Sequence, residues 1–361
     1  MSPQPIELPI VRVAGDPAEM GRAQGEAVRE RVRAFIDVRF AAVEQYTREK
    51  GRPSGADGLL AVGARGLEMQ KVWDPIGYAE HLGIAAGARV DPVALYTAAN
   101  MTDLRDALLL RGSGPDAEGC TALMVPPALS ASGEAIVGQT WDLNATDLDF
   151  VIAVHREPLQ GPATWSVTCA GCLTLMGHNA DGLAVGTTNL KTWGARPGVG
   201  YLSILHRMLR ESTAEAAAAV VASAPRAGAH LYWAADAKMQ LDLEADPTGV
   251  ARREAGQGAL CHTNHCLDDD FAARQGEGAS DSSASRLGFM AEALSHGGQT
   301  VERVQALFAD RSRGALSVNR YPEDGGEGAT NAVFIAMPAR RQAWACRGPA
   351  DRGRWHVLDF G

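Results

Sequence analysis

A polar, glycine-rich stretch, Arg111-Gly112-Ser113-Gly114-Pro115-Asp116-Ala117-Glu118-Gly119, divides these 361 residues into two parts with different periodicities. Before it the pattern is helical. Asp16-Pro17-Ala18-Glu19 offers an N-cap carboxylate, a proline at the first helical position and a glutamate at the third. Met20, Ala23, Ala27, Val28, Val32, Phe35 and Val38 follow at roughly helical spacing, and residues 58–111 continue in that style. After the stretch come short segments rich in Val, Ile, Thr and Trp. Cys120–Val125, Ala135–Trp141, Phe150–His155, Trp165–Cys169, Leu183–Thr188, Ala229–Ala234, Ala332–Met337 and Gln342–Cys346 are predicted strands, separated by turns such as Asn179-Ala180-Asp181-Gly182. Two helices interrupt them, one from Ser212 with Glu215 at its third position, the other from near Thr300. Strands in meanders with paired helices between them predict an α+β layered fold rather than βαβ alternation. The expected organisation is a mainly helical segment, residues 1–119, and a strand-rich core, residues 120–361.

Composition narrows the partners. Lys and Arg total 34 against 43 Asp and Glu, a formal charge of −9 with no basic block. That argues against nucleic acid or an anionic membrane surface as the main partner. No run of 18 apolar residues is present to span a membrane. The N-terminus lacks a basic region followed by an apolar stretch, so no secretory leader is expected. The six cysteines are then expected to be reduced thiols in a cytoplasmic protein.

The junction Glu118-Gly119-Cys120-Thr121 carries the chemistry. A thiol opens the first strand directly after a glycine, and without a Cβ on residue 119 the peptide is free to twist toward attack by Cys120 Sγ on its own upstream carbonyl. An N→S acyl shift and hydrolysis would make Cys120 a new N-terminus. Its α-amine, with a pKa of roughly 7.7–8.0, would serve as base for its own thiol. The competing reading is an ordinary buried strand cysteine. Downstream, Gly138-Gln139-Thr140-Trp141-Asp142-Leu143-Asn144 lies one hairpin on and is expected to bring Asp142 beside the thiol. Gly182–Asn189 is a strand with a polar tip. His262-Thr263-Asn264-His265 supplies a side-chain amide suited to donate to an oxyanion.

These motifs, with Gly15-Asp16-Pro17-Ala18-Glu19-Met20-Gly21-Arg22-Ala23-Gln24-Gly25, Gly177–Ala184, Thr188-Asn189-Leu190 and Asn331–Met337, resemble in order and spacing the acyl-coenzyme A:6-aminopenicillanic acid acyltransferase (isopenicillin N acyltransferase)-like family of cysteine N-terminal-nucleophile hydrolases. The resemblance runs over most of the chain. It implies a four-layer αββα sandwich, self-cleavage between Gly119 and Cys120, and two cleaved chains that stay associated. Cys120 matches the nucleophile, Asp142 the aspartate expected to orient the new amine or support processing, and Asn264 the asparagine at the oxyanion. Trp141 is a candidate pocket wall, and Thr188 and Asn189 match the pocket-edge strand. No cofactor or metal is implied. One departure stands out: the loop Gly325-Gly326-Glu327-Gly328-Ala329-Thr330 lacks the base the family carries there. That argues against a substrate carboxylate held at this loop.

The reading is therefore a self-processing cysteine amidohydrolase that cleaves the C–N amide bond of a small N-acyl compound through an acyl-thioester on Cys120. Two alternatives stand beside it. One is acyl transfer from a thioester or amide to an amine. The other is a non-catalytic or zinc-binding scaffold, in which Cys169 and Cys172 would join Cys261, His262, His265 and Cys266. Against zinc, Cys172 opens the apolar run Leu173–Met176, and alternation along a strand would point Cys169 and Cys172 to opposite faces.

Overall fold

The computed structural model describes residues 4–49, 56–109, 119–275, 278–325 and 328–360, so most of the glycine-rich stretch, 111–118, lies outside the described residues. The chain opens with strand β1 (Ile10–Gly15) and then runs through six helices: α1 (Pro17–Ala27), α2 (Arg29–Glu49), α3 (Ala56–Trp73), α4 (Pro75–Ala88), α5 (Pro92–Ala99) and α6 (Met101–Leu109). Strands β2 (Gly119–Val125), β3 (Ile136–Asn144), β4 (Val151–Pro158), β5 (Thr164–Cys169), β6 (Met176–Asn179) and β7 (Ala184–Asn189) follow. Helices α7 (Tyr201–Met208) and α8 (Ala214–Ser223) lead into β8 (His230–Ala235), β9 (Gln240–Ala245), β10 (Val250–Glu254) and β11 (Leu260–His262). Helices α9 (Asp269–Ala272), α10 (Asp281–Ala293) and α11 (Val301–Phe308) precede β12 (Gly328–Met337), β13 (Gln342–Arg347) and β14 (His356–Leu358).

The strands form two sheets. One has eight strands in the order β1-β4-β5-β6-β7-β8-β9-β10, and the other six in the order β11-β2-β3-β12-β13-β14. The sheets face each other through β2, β3 and β7, with α7 and α8 outside the larger sheet and α10 and α11 outside the smaller. This is the four-layer αββα sandwich expected from the sequence. Both faces of β2 and most of β3 are buried, which is why Cys120–Val125 reads as a continuous apolar run rather than an alternating one. Leu123, Val125, Ile136, Val333 and Ile335 pack outward against Met290, Val304 and Phe308. Cys120, Ala122, Met124, Val137 and Trp141 belong to the main core.

Local signals held where they were strong. Asp16 accepts from Glu19 N at 2.8 Å and Glu19 Oε2 accepts from Asp16 N at 2.9 Å, a complete capping box. Thr300 caps α11 as expected. The alanine-rich helix α8 is capped by Thr213 rather than Ser212, because the Thr213 hydroxyl accepts from Ala216 N.

The first segment is more than a helical layer. β1 runs parallel to β4 at the edge of the larger sheet, so residues from the segment before Gly119 complete a sheet made by the segment after it. Its helices are locked by glycines: a Cβ on Gly21 would lie 2.1 Å from Glu80 O, and one on Gly87 2.2 Å from Arg22 O. Only hydrogen at these positions lets α1 and α4 touch backbone to backbone. That approach holds Gln24 and Glu80 against Arg156 of β4, which donates to both at 3.0 and 2.6 Å.

Candidate active site

Cys120 sits one residue into β2, 4% exposed. The β2–β3 register pairs Gly119 with Asp142 and Cys120 with Trp141. Side chains directly opposite share a face of the sheet, so Cys120 and Trp141 face one way and Asp142 the other. The expectation that Asp142 lies beside the thiol is corrected by this register: Asp142 lies beneath Gly119. A Cβ on Gly119 would come 3.1 Å from Asp142 Oδ2 and 2.5 Å from Arg320 Nη1. Glycine thus lets a carboxylate and a guanidinium close on the Gly119–Cys120 peptide, a role beyond the backbone freedom inferred from sequence.

The charged side is built by residues that the sequence reading did not single out. Arg286, on α10 and 1% exposed, donates from Nη1 to Cys120 O and, at 3.0 Å, to Thr121 Oγ1; its Nη2 donates to Asn264 Oδ1 at 2.9 Å. Burial lowers the Arg286 pKa to about 10, with Asp142 opposing the shift. Asp142 is fully buried. Burial raises its pKa to about 6, against the pull of Arg320, Arg286 and the Thr330 and Thr140 hydroxyls. Arg320 also answers the departure noted above. The loop around Gly325–Thr330, of which Gly326 and Glu327 lie outside the described residues, supplies no base, but Arg320 comes in from just upstream. Its backbone bonds Thr330 on both sides, through Arg320 N to Thr330 Oγ1 at 2.9 Å and Thr330 N to Arg320 O at 3.0 Å. A basic residue separated by ten positions from the strand residue it pairs with leaves no motif in a sequence.

Asn264 reaches Cys120, with its amide turned differently from expectation. Its Oδ1 accepts from Cys120 N at 2.7 Å and from Arg286, while Nδ2 donates to Asn189 O at 3.2 Å. Two donors on one atom and a carbonyl on the other fix the amide's orientation. In this structure Asn264 therefore holds the Cys120 nitrogen rather than offering a donor to an oxyanion. Thr188 is a support: its hydroxyl donates to Thr263 O at 2.6 Å, next to Asn264. Asn189 and Trp141 line a cavity of about 20 Å³ whose other lining residues include Cys120, Asp142, Tyr201 and His230.

The other cysteines are unsuited to reaction. Among the described residues no disulfide joins any of the six, and burial pushes Cys172, Cys261 and Cys266 up to about 12 and raises Cys169 and Cys346 as well. Such thiols stay protonated and unreactive at neutral pH. The zinc set does not assemble. Cys169 ends β5 in the larger sheet, whereas Cys261 lies in β11 at the edge of the smaller one. His262 is held by Glu244 at 2.8 Å, and among the described residues no group of three or more His, Cys, Asp or Glu is arranged to hold a metal ion. The strand alternation invoked against zinc was itself misplaced. The strand stops at Cys169, Cys172 N closes a turn onto Cys169 O at 2.9 Å over Gly171 at φ 87°, and β6 begins only at Met176. No helix among the described residues is long and apolar enough to cross a membrane.

Comparison with known proteins bears on this geometry. The family model described as acyl-coenzyme A:6-aminopenicillanic acid acyl-transferase matches residues 129–351, more than half of the chain, starting just after Cys120. The 40 kDa form of acyl-coenzyme A:6-aminopenicillanic-acid-acyltransferase from Emericella nidulans is 28% identical over 332 residues, spanning 90% of this chain and 88% of that protein. Among solved structures, a mutant conjugated bile acid hydrolase from Clostridium perfringens has a TM-score of 0.46 at 10% identity, covering 67% of this chain and 92% of that one. Penicillin V acylase from Agrobacterium tumefaciens has a TM-score of 0.45 at 13% identity, covering 67% of this chain and 86% of that one.

Proposed function

We infer the reaction from a premise supplied by the family match: this chain belongs to the acyl-coenzyme A:6-aminopenicillanic acid acyl-transferase family and is an enzyme of acyl-amide hydrolysis or acyl transfer. The proposal is that it cleaves itself between Gly119 and Cys120, then hydrolyses the amide bond of a small N-acyl compound through a thioester on Cys120. One observation carries it: the Gly119–Cys120 peptide lies over Asp142 and Arg320, with the Cys120 nitrogen already held by Asn264.

In self-cleavage Cys120 Sγ attacks the Gly119 carbonyl carbon, the peptide C–N bond breaks, and the departing nitrogen takes a proton. Water then splits the resulting thioester, leaving a Gly119 carboxylate and a free thiol. The freed amine stays against Asn264 Oδ1, which orients it to take the thiol proton when an external amide binds and to return it to the leaving amine. Arg286 holds the Cys120 carbonyl and Asn264 together.

The two cleaved pieces stay together on this reading, since β1 is a strand of the larger sheet. Buried pairs also cross the cut: Glu80 with Arg156, and Asp103 with His230 at 2.7 Å. Transfer to an amine instead of water is the second reading, favoured by Arg320, whose charge lies beside Gly119 where a carboxylate-bearing acceptor would be drawn.

Intact-mass spectrometry of the denatured protein tests the proposal. The expected result is two fragments, 1–119 and 120–361, with Cys120→Ala giving one uncut, inactive chain. A wild-type chain that stays whole and inert, or an active Cys120→Ala variant, would end it.

A further inference from the structure

The cavity beside Cys120 has a polar wall that the mechanism above does not use. Asn189 and His230 are directly paired across β7 and β8, so their side chains share a face of the larger sheet. Both line the cavity with Cys120. Asn189 Oδ1 and His230 Nδ1 are buried atoms without a hydrogen-bond partner among the described residues, a costly state unless something else satisfies them. His230 itself is 2% exposed and firmly placed. Its Nε2 bonds Asp103 Oδ1 at 2.7 Å, Asp103 Oδ2 accepts from Tyr201 N at 2.9 Å, and the Tyr201 ring stacks on the imidazole at 4.4 Å.

Asp103 fixes the tautomer. When Nε2 donates to that carboxylate, Nδ1 is the ring nitrogen left to accept, and it has no partner among the described residues. The residues lining this space of about 20 Å³ therefore include two acceptors without a partner among the described residues, the His230 ring nitrogen and the Asn189 amide oxygen. A single water needs roughly 10–15 Å³ of such space and two or more polar partners. A molecule with two N–H or O–H donors fits that description, and water is the smallest.

We propose that His230, held by Asp103, and Asn189 are positioning residues that fix the water which releases the acyl group from Cys120. The inference rests on the acyl-thioester reading of the preceding section and deepens it, assigning water as the acceptor. The two water hydrogens lie on His230 Nδ1 and Asn189 Oδ1, which leaves an oxygen lone pair for the thioester carbon. Attack by that oxygen forms the C–O bond and breaks the C–S bond. As the C–O bond forms, one of these hydrogens leaves its acceptor for the Cys120 α-amine, which passes it to the departing sulfur, giving a carboxylic acid and the restored thiol.

The experiment separates acylation from release, using the processed enzyme and p-nitrophenyl acetate as probe. The burst of p-nitrophenolate reports acylation of Cys120 and the steady state reports release. His230→Gln keeps a donor toward Asp103 and removes the atom at the Nδ1 position; Asn189→Ala removes the other acceptor and leaves the backbone carbonyl used by Asn264. Each is expected to keep the burst and slow the steady state about tenfold, the weight of one hydrogen bond, with added hydroxylamine, which brings its own nucleophile, recovering most of the loss. A burst and a steady state that fall together would make the Asp103–His230 pair only a structural tie and overturn the proposal, as would an unchanged steady state in both variants. A wild-type enzyme without a burst, or a burst that survives Cys120→Ala, would instead bring down the thioester reading and this inference with it.

Discussion

The two faces of the β2–β3 pair, one residue apart along the chain, are chemically opposite. On one face Cys120 and Trp141 look into the main core around a cavity large enough for a water. On the other, the Asp142 side chain is buried within the electrostatic reach of Arg320 and Arg286, while the residue also contributes to the cavity lining. A pleated sheet allows this because successive side chains alternate, so the Cys120 thiol and the Asp142 carboxylate are directed to opposite faces. On the function proposed above, external substrate belongs to the thiol face and processing to the charged face.

The largest expected break comes from Asp142→Asn. If the charged face serves processing, cleavage before Cys120 slows at least about 100-fold, read as uncut chain over time, while any fraction that does cleave keeps its p-nitrophenyl acetate burst. A variant that cleaves normally but loses the burst would reverse the assignment.

The same substitution probes the electrostatics. Burial raises the Asp142 carboxyl to about 6 from 3.8, so the folded state binds its proton more tightly than the unfolded chain. The associated stability is complete below about pH 4 and is lost as pH rises through about 6. Denaturant unfolding of wild type relative to Asp142→Asn, both in the Cys120→Ala background, is therefore expected to show the wild type losing up to about 3 kcal/mol between pH 4 and 7. A flat difference would mean that the two guanidiniums fully compensate the charge.

Gly119→Ala is a gentler perturbation of the charged face. Its methyl meets Arg320 Nη1 at 2.5 Å, and the end of a long side chain is able to move aside. Cleavage is expected to slow about tenfold through lost alignment, with turnover per cleaved molecule unchanged. The smallest effect belongs to the thiol face: Trp141→Phe leaves cleavage intact and shifts the KM for acyl probes by roughly tenfold or less, the scale of a changed apolar wall. Slowed cleavage in this variant would show that the two faces are not independent.

Much of the architecture was legible before folding. Caps at Asp16 and Thr300, the apolar runs of the central strands and the Gly119–Cys120 junction are local signals, set by residues within a few positions of each other. β1 escaped notice because a six-residue edge strand next to a strong helix start has little pattern of its own. Arg286, Arg320, Asp103 and His230 escaped for a different reason. Each is an ordinary charged or polar residue on a helix, a loop or a strand end, and becomes part of the site only by meeting a partner far away in sequence, as Arg286 meets the Cys120 carbonyl across 166 positions.

What the sequence determined by itself was the inventory: a helical segment and a strand-rich one, joined at a glycine and a thiol, with an aspartate one hairpin later and an asparagine further on. What only the tertiary structure decided was who faces whom. Alternation along a strand is written in the chain, but pairing between strands is not, and a shift of one residue would have set Asp142 opposite Cys120 instead of Gly119. Register is fixed by burying the apolar faces of two sheets at once, a condition on the whole core that no local stretch of residues contains.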